Sequence, residues 1–210
     1  MQHTLIPVTP FQQNCSILWC DQTREAVIID PGGDLDRIEQ VLDQEHLIPT
    51  RVLLTHGHLD HVGGAVSLAR QRAVPLAGPH RDDQFWLDQL PRQSEWFGFD
   101  YCAPFVPDEW LDEGDSICLG RETLEVIHCP GHTPGHVVFF HRDSQLLVVG
   151  DVLFRGSVGR TDFPGGNHAQ LMMSIRQKLL GLGDEVRFIP GHGPGSTLGH
   201  ERRTNPYILA

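Results

Sequence analysis

Five short apolar runs of this chain each finish on a carboxylate or an imidazole. AVIID closes at Asp30, RVLLTH opens the cluster His56 to His61, and LEVIHCPGH leads to His132. LLVVGD closes at Asp151 and VRFIPGH at His192. Runs this short and this rich in Val and Ile are strands, since a buried helix needs more length. In layered α/β proteins the loops beyond the carboxyl ends of strands converge on a common ligand site. Five such ends imply a fold that gathers them at one edge.

The rest of the chain fits an α/β layering. CSILW and HVVFFH add strands, and CDQTRE and HRDSQ read as the turns of two hairpins. DLDRIEQVLDQ sets Leu35, Ile38 and Leu42 on one helical face, with Asp34 as N-cap. AVSLARQR and AQLMMSIRQKLLGLG are further helices, the second stopping at its glycines. Met172 and Met173 there read as filler of a core or groove. No linker or low-complexity stretch interrupts the 210 residues, a length that covers one core well and is short for two. Residues 1–210 are therefore expected to form a single domain. The segment from Phe85 to Trp110 holds eight of the sixteen aromatics. It reads as a satellite core under a long connection, with a groove wall or subunit contact beside the site as the alternative.

Charge and cysteines exclude several roles. The formal net charge is -11, with Lys178 the single lysine among 16 basic residues. That balance disfavours a nucleic-acid or anionic-membrane surface, where a basic face supplies most of the binding, but permits a local arginine pocket. The N-terminus lacks a basic region followed by a long apolar one, and no apolar run approaches the roughly 20 residues that span a bilayer. Five cysteines without CxxC spacing indicate reduced thiols and a cytoplasmic protein. Cys129 reads as a buried structural thiol.

The residue types at the strand ends define a chemistry. His56 and His58, two apart on extended backbone, present two imidazoles to one ion. His132 completes three nitrogen ligands, a set that suits zinc and leaves a position open for water. Asp60, His61 and His192 make a second site, and Asp151 has the hard oxygen chemistry to bridge both. His3, His46, His80, His141, His168 and His200 read as surface or hydrogen-bonded residues. His128 and His136 are either partners behind the ligands or packing.

The segment Thr55 to His61 has the form T-H-x-H-x-D-H, followed in order by PGHTPGH, GDVLF and PGHGP around His132, Asp151 and His192. This series resembles the metallo-β-lactamase superfamily over nearly the whole chain. The resemblance implies a four-layer αββα sandwich of two similar halves with metals at its open edge. It implies His56, His58 and His132 on one metal, Asp60, His61 and His192 on the other, and Asp151 between them. GDVLFRGSVGRTDFPGGN is similar to the glyoxalase II branch, and FIPGHGPGSTLGHERRTNPY to its short bacterial hydroxyacylglutathione hydrolases. Longer members add a helical C-terminal domain that helps hold glutathione; only residues 193–210 follow His192 here.

The activity so implied is hydrolysis of a glutathione thioester, S-lactoylglutathione giving lactate and glutathione. Two divalent ions would serve it, zinc first, with iron or manganese accepted by the same donors. Asp60 is the candidate to orient the attacking water and take its proton. Asp30 and Thr133 are either supports behind the ligands or loop and cap residues. Arg160 is the candidate to grip an anionic end of glutathione, ahead of Arg155, Arg202 and Arg203. The rivals are a persulfide dioxygenase using one iron on His56, His132 and Asp151, and a non-catalytic metal-binding module. No nucleic acid or membrane partner is expected, and oligomeric state is unspecified.

Overall fold

Successive side chains of the central strands enter different interiors, and that alternation builds the layers. The computed structural model describes residues 1–209. One sheet contains β1 (Gln2–Val8), β2 (Gln13–Trp19), β3 (Glu25–Ile29), β4 (Ile48–Leu53) and β5 (Leu76–Ala77), in that order. The second begins with β6 (Ser116–Leu119), β7 (Glu122–His128), β8 (Val137–His141) and β9 (Leu146–Gly150). After a ribbon of β10 (Leu153–Phe154) and β11 (Ser157–Val158), it is completed by β12 (Arg187–Pro190) and β13 (Ser196–Thr197). On β3, Val27 and Ile29 join the apolar cluster between the sheets, while Ala26 and Ile28 face the helices. On β9, Leu146 and Val148 enter the same central cluster, and Leu147 and Val149 an outer one. Each such side chain contributes roughly 1.5–3 kcal/mol when fully buried.

Helices cover both outer faces. Against the first sheet lie α1 (Leu35–Gln44), the single turn α2 (Leu59–Val62), α3 (Ala65–Arg72), α4 (Gln84–Asp88) and α5 (Leu90–Phe97). Against the second lie α6 (His168–Ser174), α7 (Leu198–Thr204) and α8 (Pro206–Leu209). The result is the expected four-layer αββα sandwich.

Its halves repeat one plan. β1, β2 and β3 form an antiparallel meander, and β4 returns parallel to β3. Likewise β7, β8 and β9 form a meander, and β12 returns parallel to β9. In each half the third strand delivers an aspartate, Asp30 or Asp151, and the fourth delivers histidine, His56 or His192.

Three local features depart from the sequence reading. β1 was not marked by an apolar run, because this edge strand exposes much of QHTLIPV. Asp34 occupies the N-cap position of α1 but makes no capping bond; in left-handed backbone, its carboxylate instead accepts from the Thr9 amide at 2.7 Å. The last long helix is α-helical only to Ser174, then widens to a π turn over Ile175–Leu179 and tightens to a 3-10 turn over Leu180–Leu182. Met172 fills the core there, whereas Met173 is exposed. Among the described residues no helix is long and apolar enough to cross a membrane.

Candidate metal centre

Extended backbone after β4 places His56 and His58 on one side of the chain. The turn α2 then swings Asp60 and His61 toward the same point. His58 Nδ1 lies 3.1 Å from His56 Nε2 and 3.0 Å from His132 Nε2, so three ring nitrogens from two loops converge. Beside them, Asp60 Oδ2 lies 3.2 Å from His192 Nε2 and 3.8 Å from His61 Nε2. Asp151 stands between the two groups. One of its oxygens is 3.5 Å from His61 Nε2, and the other is 3.7 Å from both His132 and His192 Nε2. All seven residues singled out by the sequence meet here.

The hydrogen bonds behind the rings fix which nitrogen carries the proton. Thr55 Oγ1 donates to Asp30 at 2.6 Å and so can only accept from His56 Nδ1, at 3.0 Å. His61 Nδ1 donates to Asp30 at 2.9 Å, His132 Nδ1 to the Arg160 carbonyl at 2.7 Å, and His192 Nδ1 to the Phe11 carbonyl at 3.1 Å. Four imidazoles thus hold their Nδ1 protons outward and turn Nε2 inward. His136, packed flat on His56 at 4.6 Å, takes the Asp151 amide proton on its own Nε2 at 3.0 Å. Asp30 is therefore a support, and so is His136.

Burial and mutual repulsion hold His56 and His58 well below the usual histidine range, so they stay neutral and keep their lone pairs. His61 behaves oppositely. Burial lowers it, but Asp60, Asp151 and Asp30 outweigh burial and push it up to about 9. Burial likewise opposes the Asp60 carboxylate, yet His61 and His192 hold that carboxyl well below its ordinary range. Three carboxylates thus hold a second proton on His61, in the place a cation would take, while His56 and His58 keep bare nitrogens. His61 Nε2 and Asp151 Oδ1 are buried with no hydrogen-bond partner. Unpartnered polar atoms around a negative cavity are what divalent cations satisfy, a cation displacing the His61 Nε2 proton, and the donor set fits a pair of them.

Asp83 is the residue that sequence reasoning missed. Fully buried, its carboxylate accepts from the Gly57 amide (2.8 Å), the Thr133 hydroxyl (2.8 Å) and the Gly135 amide (2.5 Å). It thereby ties the His58 loop to the His132 loop, and Thr133 is a support through it. Burial pushes the Asp83 carboxyl up to about 6 against those three bonds. In the sequence it is one of the adjacent pair Asp82 and Asp83, with nothing to tell which turns inward. Gln93 is a second such support, its Oε1 accepting from the Leu59 amide at 2.9 Å. His128 lies elsewhere, stacked on His80 at 4.2 Å.

Above the cage opens a cavity of ≈ 590 Å³. The aromatic segment serves both readings given to it. Trp86, Trp96 and Phe97 line the cavity, while Phe99, Phe105 and Trp110 pack on the core below the first sheet. Arg160 is on the lining, with its guanidinium forked onto Asp162 through two bonds of 2.7 Å. Arg202 and Arg203 pair with Asp184 instead.

Residues 8–200 match the metallo-beta-lactamase superfamily. A Haemophilus influenzae protein named hydroxyacylglutathione hydrolase GloC is 45% identical over 99% of this chain and 98% of its own. The structure of the BLEG-1 B3 metallo-beta-lactamase superposes with a TM-score of 0.92 at 36% identity, covering 100% of both chains. That of TTHA1623 in a di-iron-bound form has a TM-score of 0.88 at 37% identity, over 97% of this chain and 99% of its own.

Proposed function

The chain belongs to the metallo-β-lactamase superfamily, and on that premise we propose that it is a metal-dependent hydrolase of glutathione thioesters, S-lactoylglutathione among them. The observation that carries this is the convergence of ring nitrogens and carboxylates from both halves of the sandwich beneath an open cavity. The name of the 45% identical relative supports the thioester as substrate.

In this reading His56, His58 and His132 would hold one divalent cation and Asp60, His61 and His192 the other, with Asp151 standing between the two groups. Zinc suits the donors first; the di-iron form of a 37% identical protein makes iron the next choice. The cations would supply a water acidified toward neutrality and an electrophile for the thioester carbonyl. Asp60 is the side chain that would orient that water and take its proton. His61 and His192 keep the Asp60 carboxylate in place, and Asp30 keeps His61 in place. The leaving thiolate has a reference pKa near ~8.5 and departs without a strong general acid. Arg160 meets a carboxylate of the glutathione moiety, exchanging Asp162 for it.

The intact triad of Asp60, His61 and His192 favours this over a persulfide dioxygenase, which needs only one iron site. The test is a thioester-cleavage assay on protein of measured metal content, run beside oxygen uptake with glutathione persulfide. Metal-dependent release of glutathione from S-lactoylglutathione is the expected result. Oxygen uptake without thioester cleavage would reverse the assignment.

A further inference from the structure

The cavity wall is chemically one-sided. Ionisable groups sit on its floor, in the cage, and on Arg160. The wall between floor and mouth is aromatic. Trp86 and Phe163 abut the His58 ring at 4.5 and 5.1 Å, and Trp96, Phe97 and Phe11 continue outward. Phe11 meets Phe97 edge-on at 5.5 Å. These outer rings stay wet: Trp96 is 52%, Phe97 43% and Phe11 42% exposed. Clustered, solvated aromatic surface at the mouth of a site marks a place that binds apolar groups.

The polar groups of this wall are already engaged. Gln93 accepts from the Leu59 amide and donates to the Gly57 and Trp86 carbonyls at 3.3 and 2.9 Å. Arg160 is forked onto Asp162 and lies over the Phe163 ring at 4.1 Å. The Ser157 hydroxyl donates to the Val158 carbonyl at 3.4 Å. Trp86 Nε1 is a buried donor without an acceptor among the described residues. Glutathione brings two carboxylates, an ammonium and two amides, and burying these against rings without partners is costly. The acyl side of a thioester brings a chain or ring and carries no such cost.

Resting on the hydrolase reading above, we propose that the aromatic wall is an acyl-group pocket that selects glutathione thioesters with bulky apolar acyl groups over small hydrophilic ones. Trp96 and Phe97 are its specificity-determining residues, and the peptide of the substrate lies toward Arg160 and solvent.

The experiment compares S-lactoyl- and S-mandeloylglutathione, which share the thiol and the hydroxyl but exchange methyl for phenyl. Alongside, S-methyl- and S-benzylglutathione, thioethers that resist hydrolysis, are titrated calorimetrically into the metal-loaded protein. The expected result is kcat/KM about tenfold or more higher for mandeloyl, and a matching preference for S-benzyl. Both preferences should collapse in Trp96→Ala and Phe97→Ala and survive in Trp96→Phe. Equal turnover of the two esters with equal affinity for the two thioethers overturns the pocket and leaves thioester hydrolysis standing. Selective S-benzyl binding without cleavage of either ester supports the pocket and overturns the hydrolase reading. Neither binding nor cleavage overturns both.

Discussion

Four imidazoles of the cage donate Nδ1 protons to fixed acceptors, Thr55 Oγ1, Asp30 and the carbonyls of Arg160 and Phe11. Their coordinating tautomer is thus set before any cation arrives. Asp60 is the acid of the second triad, and His61 and His192 hold its carboxyl well below its ordinary range. Asp60→Ala should lower kcat by ~10²–10⁴. Far-UV circular dichroism should stay unchanged, and wild-type turnover would remove Asp60 from the mechanism. Asp83 gives a prediction in pH. Its folded-state carboxyl is raised from 3.8 to about 6, so between those values the folded chain binds more protons than the unfolded one. The stability it contributes is full below the lower value and is lost as pH rises through the upper one. Relative to Asp83→Asn, the wild type should therefore lose ~3 kcal/mol between about pH 4 and pH 7, read by urea unfolding of both proteins. A pH-independent difference would show that Asp83 does not titrate there. At this scale the ligands were legible, because histidines and aspartates rarely end apolar runs by chance. Their supports were not, since a buried Asp83 and an exposed Asp82 look alike until the chain folds.

Strand direction does the work at the level of elements. β3 and β4 run parallel, as do β9 and β12, so each pair delivers its ligands at one edge. β7 runs with β9, both antiparallel to β8, which puts His132 at that edge as well. After β12 the chain passes Asp151 so closely that only glycine fits. A Cβ on Gly191 would stand 2.1 Å from Asp151 Oδ1 and 2.7 Å from His61 Cε1. Gly191→Ala should weaken metal binding by at least ~10–100-fold, the cost typical of disturbing a ligand's support. Gly181→Ala, with nothing within 4 Å of the added carbon, is the control that should bind metal as wild type does. Equal affinities in the two variants would mean that the ligand oxygen does not depend on this close approach. The buried strands were readable as continuous apolar runs. β1 and the π turn were not, because one is a half-exposed edge and the other differs from an α-helix only in hydrogen-bond spacing.

In the whole molecule the cage straddles the two halves of the sandwich. His56 and His58 come from the first and His132 from the second; Asp60 and His61 come from the first and His192 from the second. Cations held there would pin the open edge. Chelation should then lower Tm by ~5–10 °C, the equivalent of ~2.7 kcal/mol at a free metal level near 100 times Kd. Differential scanning fluorimetry with and without chelator reads this directly, and an unchanged Tm would disconnect the cage from stability. The layering was legible in the alternation of runs and helices, and a groove wall was one reading of the aromatic segment, but that Trp86, Trp96 and Phe97 are the rings that form it was not. Periodicity reports that an aromatic is apolar, and only the folded chain shows whether it meets the core or the cavity. Elemental analysis of the purified protein beside its His132→Ala and His192→Ala variants tests the shared cage most directly. The expected content is two divalent ions per chain in the wild type and close to one in either variant. A wild type free of metal, or variants that retain both ions, would contradict it.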